Sequence, residues 1–303
     1  MKAFVKRRLP PRLWSALAAV WSACRRGRAR ASEEALGLLA QLLLLPIRLC
    51  PARVQASCRE RLHPVRSLDY QPSRLLMSVS SSWAHYRLKS AAKEPETVQW
   101  ITENMRPGDV FYDVGANVGA YSLIAYARGG RESRVYAFEP AFETFRELCE
   151  NVRLNKANQN IVALPMGLGA ATELLGLSYS ELAAGAATHS WQARGSSGAT
   201  PGDAYVQKTC CFRLDDIVDL LKLEKPSLIK IDVDGPEYEV LVGAGRVLED
   251  PHLRSLLIEV EDANASRICD FLRRKGFSVT RIHRRGATWC NYVFHRGADE
   301  TTA

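Results

Sequence analysis

Hydrophobic residues recur along this chain in two alternating patterns from about residue 94 onward. Short apolar runs rich in strand formers alternate with stretches whose apolar residues repeat about every three to four positions, as on one face of a helix. Strands are predicted at 110–114, 134–138, 161–164, 228–232, 256–260, 277–282 and 292–295, and helices at 94–101, 119–127, 141–155, 236–248 and 265–275. This regular alternation predicts an α/β fold, in which a sheet is covered by helices on both faces.

Segments outside this alternation predict smaller features. Residues 74–79 and 84–88 have the composition of short strands, as do 173–179 and 204–212. Between the last two, residues 181–203 consist mainly of Ala, Gly, Ser and Thr, which predicts a mobile flap over a functional site, with His189 as a candidate base. The final two strands are joined by a short loop at 284–286, so they should pair antiparallel.

Charge divides the chain at about residue 95. Residues 1–95 hold 18 Lys and Arg against 5 Asp and Glu, a balance of +13, whereas the remaining 208 residues hold 23 against 28, a balance of −5. The net charge of +8 therefore comes from the N-terminal third of the chain. A mildly acidic main portion argues against a nucleic-acid groove within it.

The N-terminal segment has the pattern of a basic, amphipathic helical extension. Residues 1–32 contain nine Lys and Arg and no acidic residue, while Trp14, Leu17 and Trp21 recur at helical spacing. A second helix is predicted at 33–45. Only the 13 residues from 35 to 47 pass without a charge, fewer than the ~20 apolar residues that a membrane span needs. We place the domain boundary so that the extension covers 1–62 and the main domain covers 63–303.

Several roles for this extension stay open. A basic helix with two Trp on its apolar side is typical of a peripheral membrane anchor, which predicts contact with an anionic membrane through residues 1–50. An Arg-rich, acid-free helix is also typical of an organelle transit peptide. A secretory signal over 13–24 is disfavoured by the four arginines that follow it. The remaining alternative is packing of its leucines on the main domain. The expected location is cytoplasmic, with membrane contact or without it.

Eight cysteines are spread along the chain, with no C-x-x-C pair and no Cys/His cluster of zinc spacing. We expect them to be buried as small hydrophobic residues in a reducing compartment, without a disulfide framework. Cys210 and Cys211 are adjacent on a predicted strand, so their side chains should point to opposite faces.

The most informative motif is a glycine turn between the predicted strand at 110–114 and the helix at 119–127. It reads Asp-Val-Gly-Ala-Asn-Val-Gly, and such a turn presents backbone N–H groups to a nucleotide-like ligand. A dinucleotide needs the closer glycines of G-x-G-x-x-G for its pyrophosphate, so this spacing favours S-adenosylmethionine over NAD. The ammonium of its methionine part calls for an acidic neighbour such as Asp113. The predicted cofactor-binding residues of the turn are Asp113, Gly115, Ala116, Asn117 and Gly119.

Glu139 follows the strand at 134–138 and lies 20 residues past Gly119. A carboxylate at about that distance past the glycines can accept hydrogen bonds from both ribose hydroxyls. Together with the glycine turn it predicts an adenosine-containing ligand; the alternative is a tight turn with a surface carboxylate. No acidic residue follows the strand at 161–164, so adenine should be held by backbone groups and apolar packing.

Asp232, Asp234 and Glu237 form a second acidic group at the end of the strand at 228–232. Ligands in open α/β sheets bind at the carboxyl ends of the strands, so all three are candidate catalytic residues and Asp232 a further cofactor contact. A hydroxyl acceptor must lose its proton, and a carboxylate here can act as the general base. Alternatively these groups cap the following helix, and Glu237 favours its dipole. Several carboxylates could also bind Mg²⁺, but no metal is assigned.

These motifs resemble the FkbM-type family of S-adenosylmethionine-dependent methyltransferases. The family's first block is similar to residues 113–122, its acidic-proline step to Glu139-Pro140, its L-D-D step to 214–216 and its second block to 229–237. The resemblance covers roughly residues 65–295. Asp234 stands where the family usually has Glu, and Pro236 where it commonly has a small residue.

The resemblance implies a Rossmann-like class I methyltransferase sheet, mostly parallel with the last strand antiparallel. It also implies methyl transfer from S-adenosylmethionine to a hydroxyl on a glycan, a lipid-linked sugar or a natural product. Two other functions stay open: a membrane-docked binding protein that keeps the fold without the activity, and an RNA methyltransferase tethered by its basic N-terminus. The glycine spacing disfavours an NAD-dependent oxidoreductase. The expected partner is a small-molecule, glycan or lipid acceptor.

Overall fold

The computed structural model describes residues 40, 44–179, 182–186, 189–191 and 205–297. The chain divides into two compact units, Met1–Leu62 and His63–Ala303. In the first unit, residues 44–48 are helical and helix α1 spans Ala52–Arg61. None of the helices within the described ranges has the length and apolar character that a membrane span requires. The predicted helix around Trp14, and most of the one at 33–45, lie outside the described residues.

The second unit is built of alternating strands and helices. Its strands are β1 (Val65–Ser67), β2 (Leu76–Ser78), β3 (Val110–Val114), β4 (Arg134–Phe138), β5 (Ile161–Leu164), β6 (Gly167–Leu168), β7 (Glu173–Tyr179), β8 (His189–Trp191), β9 (Tyr205–Phe212), β10 (Leu228–Ile231), β11 (Ser255–Glu261), β12 (Phe277–Arg284) and β13 (Trp289–Arg296). Its α-helices are α2 (Ser82–Arg87), α3 (Ser90–Lys93), α4 (Pro95–Asn104), α5 (Ala120–Gly129), α6 (Phe142–Leu154), α7 (Leu214–Leu221), α8 (Glu237–Gly243) and α9 (Ala265–Arg274). Short 3₁₀ turns lie at Gly130–Glu132, Val247–Glu249 and Asp262–Asn264.

A seven-stranded sheet in the order β12-β13-β11-β10-β3-β4-β5 forms the centre of this unit. Strands β5, β4, β3, β10 and β11 are parallel, and β13 pairs antiparallel with both β11 and β12. The predicted Rossmann-like sheet and its antiparallel last strand are thus confirmed. Chain order reverses between β3 and β10, and ligands of such sheets bind outside the strand ends at that point.

The two faces of the sheet are both covered, as the continuous apolar runs predict. Val110, Tyr112 and Val114 of β3 face one hydrophobic core, which α7, α8 and α9 complete. Phe111, between them in sequence, faces the other core, which α4, α5 and α6 complete. Because side chains alternate along a strand, Asp113 projects to the same side as Phe111, toward α5. This alternation decides where the charged residues of the strand ends lie.

A smaller sheet, ordered β6-β9-β7-β8, follows β5. Strand β8 lies within the segment 181–203 that was predicted to be a flap, and it pairs antiparallel with Leu177–Tyr179 of β7. Residues 181, 187–188 and 192–203 of that segment lie outside the described residues. On β9, Cys210 is exposed and Cys211 is buried, so the predicted opposite orientation of the pair is confirmed.

Three expectations about local structure are wrong. Residues 84–88 belong mainly to helix α2 rather than to a strand, because the Ser81 side chain accepts a hydrogen bond from the Ala84 N–H at 2.9 Å and caps the helix. The helix that begins after Pro236 ends at Gly243, and a separate 3₁₀ turn follows. Among the described cysteines, Cys149 and Cys210 are exposed rather than buried.

The β1–β2 hairpin is held against α6 by two asparagine side chains. Asn155 Oδ1 accepts from the Leu76 N–H at 2.8 Å, and its Nδ2 donates to the Leu76 carbonyl at 2.7 Å. Asn151 Oδ1 accepts from the Ser78 N–H at 2.7 Å, and its Nδ2 donates to the Val118 carbonyl at 2.8 Å. Asn151 thereby connects the hairpin to the glycine turn.

Candidate active site

The glycine turn follows β3 and brings its backbone against the end of β10. Gly115 has φ +78°, and a Cβ atom at this position would lie 1.8 Å from the Asp232 carbonyl oxygen. Asn117 has φ +49°, a left-handed conformation that Asn adopts more readily than most residues. A Cβ on Gly119 would lie 2.4 Å from a Leu148 methyl group. Both glycines are therefore required by close approach as well as by backbone conformation.

The backbone N–H groups of the turn bond within the protein. The N–H groups of Gly115 and Ala116 both donate to the Phe138 carbonyl at 3.0 Å, and that of Asn117 donates to Glu139 Oε2 at 2.9 Å. The sequence predicts that these groups face the ligand. In the structure they instead hold the turn against β4. Gly115 and Asn117 line two cavities, one on each side of the turn.

The first of these cavities, the Glu139 cavity, lies at the ends of β3, β4 and β5. Its polar wall contains Gly115, Asn117, Glu139, Asp232 and Asp234. Its apolar wall is contributed by Phe138, Met166, Leu168, Leu177 and Trp191. The carboxylate of Glu139 beside this apolar slot suits a ribose attached to a flat base.

Glu139 is nearly fully buried, with 2% of its surface exposed. Its Oε1 accepts from the Ala141 N–H at 2.9 Å and its Oε2 from Asn117. Burial raises the pKa of Glu139 to about 7, although these two N–H donors oppose the change. Each carboxylate oxygen has a second lone pair, so ribose hydroxyls can donate to Glu139 without displacing the backbone donors.

The second cavity, the Lys230 cavity, lies on the other side of the glycine turn. It shares Gly115, Asn117, Asp232 and Asp234 with the Glu139 cavity, so the two meet at these residues. Its charged walls carry both signs: Arg87, Lys93 and Lys230 are cationic, and Glu94 and Glu259 are acidic. A wall of mixed charge suits an amino acid zwitterion.

Lys230 is the centre of a buried ion-pair network. Its Nζ donates to Asp232 Oδ2 at 2.8 Å and lies 3.8 Å from Asp113 Oδ1. In the sheet Lys230 stands directly opposite Asp113, since β10 and β3 pair in that register. Its ammonium also lies 5.1 Å from the centre of the Tyr121 ring. Burial lowers the pKa of Lys230, but the charges of Asp232 and Asp113 outweigh burial and raise it.

Asp113 and Asp232 differ in their access to the cavities. Asp113 is fully buried and is not part of either cavity wall; its Oδ2 accepts from Ser122 Oγ at 2.6 Å. Burial raises the pKa of Asp113 despite Lys230. Asp232 lines both cavities, and Lys230 overcomes the effect of burial to hold the pKa of Asp232 below its usual value. The carboxylate that faces a ligand at this point is therefore that of Asp232.

Asp234 and Glu237, the other two candidate catalytic residues, are placed differently from each other. Asp234 lies at the rim of both cavities. Burial, and then the charge of Asp232, raise the pKa of Asp234 to about 6. Glu237 has no exposed surface, lines neither cavity and accepts from the Gly235 N–H at 2.8 Å. Its Oε2 has no hydrogen-bond partner among the described residues. This placement favours the capping alternative for Glu237.

Replacement of Glu237 by Gln tests that structural role through pH. Burial raises the pKa of Glu237 to about 7, above its ordinary value, so the unfolded state loses its proton first and wild-type stability falls as pH rises from about 5 to 7. We expect E237Q to gain stability relative to the wild type between about pH 5 and pH 8, by on the order of 1–3 kcal/mol. Urea unfolding at both pH values measures this. E239Q, on the exposed side of the same helix, is the control; an equal gain for both variants would contradict the assignment.

Five charged residues of the Lys230 cavity are not among the predicted site residues: Arg87, Lys93, Glu94, Lys230 and Glu259. Lys230 and Glu259 carry a sequence signal, since each is a charged residue inside an otherwise apolar strand. Charged side chains in such positions are almost never fully buried unless they are paired. Arg87 and Lys93 carry no comparable signal, and the incorrect strand prediction at 84–88 obscured the first of them.

Carboxyl oxygens of Asp232, Asp234 and Glu259 lie within 4.8 Å of one another. The Lys230 ammonium, 2.8 Å from Asp232, supplies positive charge to this group. We assign no metal ion to it.

Comparison with known proteins agrees with this geometry. The model of the methyltransferase FkbM domain matches residues 113–279, more than half of the chain. The hexuronic acid methyltransferase AglP of Haloferax volcanii is 29% identical over 174 residues, 57% of this chain and 64% of its own length. The 31-O-demethyl-FK506 methyltransferase FkbM of Streptomyces tacrolimicus is 30% identical over 199 residues, which cover 58% of this chain and 75% of its own.

A fungal relative extends the range of similar proteins. Methyltransferase sdnD of Sordaria araneosa is 29% identical over 204 residues, or 59% of this chain and 77% of its own. The matched block begins at Asp113 of the glycine turn, and it includes Glu139, Lys230, Asp232 and Glu259. The chain thus belongs to the methyltransferase FkbM domain family, whose methyl donor is S-adenosylmethionine.

Proposed function

We propose that this protein transfers the methyl group of S-adenosylmethionine to a hydroxyl oxygen of a glycan, a lipid-linked sugar or a small natural product. The observation that carries the proposal is the meeting of two cavities of different chemistry at Gly115 and Asp232. One suits an adenosine and the other a charged amino acid, which are the two halves of this donor.

The donor is proposed to lie across the glycine turn. Its ribose hydroxyls donate to Glu139, and its adenine packs on the apolar wall of the Glu139 cavity. In the Lys230 cavity, its carboxylate faces Arg87 and Lys93, and its ammonium faces the acidic groups. The sulfonium joins the two halves, so it lies where the cavities meet, next to Asp232.

Methyl transfer to oxygen needs in-line approach of the acceptor and removal of its proton. Asp232 is ionised at neutral pH, because the pKa of its carboxyl is held low by Lys230, and it stands at the junction of the cavities. It is proposed to accept the hydroxyl proton as the new C–O bond forms. The name of the Streptomyces relative specifies transfer to an oxygen, which supports an oxygen acceptor here.

Two measurements on the full chain test this function. Calorimetric titration with S-adenosylmethionine should give saturable binding, and its absence would contradict the proposal. Mass spectrometry of glycans, lipids and small molecules from cells with and without the protein should reveal an acceptor that differs by one methylene unit (about 14 Da). Donor binding without any such product would instead favour a binding protein that keeps only the fold.

With an acceptor in hand, D232N tests the general base. We expect the rate at saturating donor to fall by about 10²–10⁴-fold, the usual contribution of a positioned base. Asp219 is the matched control, because it is an exposed aspartate paired with Arg246 on the surface. Equal rates for D232N and D219N would rule out this role for Asp232.

The basic extension is proposed to bring the protein to an anionic membrane surface. The test is co-sedimentation of the full chain with vesicles of anionic or neutral lipid. We expect binding only to the anionic vesicles, and we expect salt to weaken it. A steep loss of RNA affinity with rising salt would favour the RNA methyltransferase instead.

A further inference from the structure

Asp232 and Glu259 occupy equivalent positions at the ends of neighbouring strands. Strands β10 and β11 are parallel and pair Ile231 with Ile258, so the next residue on each, Asp232 and Glu259, stand side by side. Both line the Lys230 cavity, and a carboxyl oxygen of each lies within 4.8 Å of the other. Two carboxylates this close disfavour each other's charge, so the pair holds one proton to a higher pH than an isolated carboxyl does.

The charges around this pair explain why the proton stays. Of the described residues, only Lys230 forms an ion pair with Asp232, and none of the described ion pairs includes Glu259. Like charges disfavour each other's ionised forms, and here burial, followed by the charge of Asp232, raises the pKa of Glu259 to about 8. The groups that face the pair are Lys230 of β10, Asp113 of β3, Asp234 after β10, Tyr121 of α5, and Arg87, Lys93 and Glu94 around α3.

Two of the three cationic side chains of this cavity, Lys93 and Arg87, also contact groups other than the pair. Lys93 lies 3.3 Å from Glu94, and the Arg87 Nε donates to the Gly185 carbonyl at 2.9 Å. A cationic ligand beside Asp232 would therefore meet a pair with one proton and one negative charge. Positive charge favours the ionised form of a neighbouring carboxyl, so the ligand would lower the pKa at which the pair releases its proton.

We propose that binding of S-adenosylmethionine expels the proton shared by Asp232 and Glu259 to solvent, and that the pair takes up the hydroxyl proton of the acceptor during methyl transfer. This inference rests on the proposed function and on the position of the sulfonium next to Asp232. It gives Glu259 a role that neither the sequence motifs nor the comparisons assign, that of holding the proton between turnovers.

The step balances in atoms and charge. The bond from the methyl carbon to sulfur breaks, and its electron pair stays on sulfur, which loses its positive charge. The methyl carbon bonds to the acceptor oxygen, and the hydroxyl proton moves to Asp232 and is shared with Glu259. One proton leaves to solvent when the donor binds, and one is gained in the transfer. The product S-adenosylhomocysteine has the same ammonium but no sulfonium charge, so the pair holds its proton more strongly with the product bound than with the donor bound.

The test compares donor and product and needs no acceptor. Calorimetric titration of the full chain is run at about pH 7.5 in two buffers of different ionisation enthalpy, such as phosphate and Tris. We expect S-adenosylmethionine to release between about half and one proton more per site than S-adenosylhomocysteine. Any proton released by Glu139 on ribose binding is common to both ligands, so it cancels in the difference.

Two variants of β11 test whether Glu259 is the residue that holds the proton. E259Q places an uncharged amide beside Asp232 that cannot titrate, and we expect it to bind the donor with the difference in proton release abolished. E261Q, two residues further along β11 and outside the Lys230 cavity, should retain the wild-type difference. If the wild type itself shows no difference between the two ligands, or if E259Q retains it, the inference is wrong. Failure of either ligand to bind would contradict the proposed function instead.

Discussion

G115A should abolish measurable donor binding, with a loss of at least about 100-fold in affinity. A Cβ at this position would lie 1.8 Å from the Asp232 carbonyl oxygen and 3.3 Å from a Val233 methyl group, and the backbone φ of +78° is itself unfavourable for alanine. The added atom must push the turn away from β10 at the junction where the two cavities meet. Calorimetric titration with S-adenosylmethionine measures the loss.

Gly108 provides a matched control for this substitution. Its φ of +82° is nearly the same, and a Cβ there would have no atom within 4 Å. G108A therefore carries the conformational cost without the collision, about 1 kcal/mol of stability, and should bind the donor normally. Circular dichroism of both variants separates a local change from unfolding. If G115A and G108A bind equally well, the turn does not form the junction described above.

K230M should have the largest effect on stability. Removal of the ammonium leaves Asp113 and Asp232 without the cation that they share at 3.8 and 2.8 Å, and Asp113 has no contact with solvent. Breaking a buried pair by removing one partner typically costs about 3–5 kcal/mol, because the remaining charge is buried and uncompensated. Urea unfolding at about pH 7.5 measures the change in free energy of unfolding.

Lys225 is the matched control for this change. It forms an ion pair with Asp250 at 2.5 Å, but its side chain is 66% exposed. The Asp250 carboxyl is only 9% exposed, but it keeps the hydrogen bond from the His252 N–H, so K225M should cost about 0–1 kcal/mol, much less than K230M. At acid pH the cost of K230M should shrink, since protonation neutralises the carboxyl groups that Lys230 leaves behind. A small effect of K230M at neutral pH would show that the network is not essential to folding.

The strands of the main domain could be predicted well because their signal is local. The predicted strands at 110–114, 134–138 and 161–164 coincide with β3, β4 and β5, since a fully buried parallel strand is a continuous apolar run. The strand prediction at 84–88 was wrong for a different local reason. Their composition resembles a strand, but the Ser81 cap and the contacts of α2 decide for a helix.

The site was only partly predictable because its key contacts join strands that are distant in sequence. The glycine turn and Glu139 form a motif of short spacing that can be recognised directly. Lys230 gains its role from standing opposite Asp113, 117 positions away, and Glu259 from standing beside Asp232. These neighbours follow only from the strand order, which places β10 between β3 and β11.

The arrangement of the strands also explains why the carboxyl groups of Asp113 and Asp232 are placed differently. Asp113 was expected to meet the ammonium of the donor, yet alternation along β3 directs it beneath α5 to Ser122 and Lys230. Asp232 is the first residue after β10 and lies beyond the paired part of the strand, where it can face both cavities. A carboxylate two register positions nearer the end of the strands thus has a different task.

Asn151 of α6 and Asn155, the residue that follows this helix, have a consequence for association between molecules. A hairpin of two short strands has two open edges, and unpaired N–H and C=O groups on an edge can recruit a strand from another chain. Asn151 and Asn155 fill the outer hydrogen-bonding positions of Leu76 and Ser78 with side-chain amides. A helix thereby stands in for the missing neighbouring strand, and that edge of β2 is closed to strand addition by a second copy.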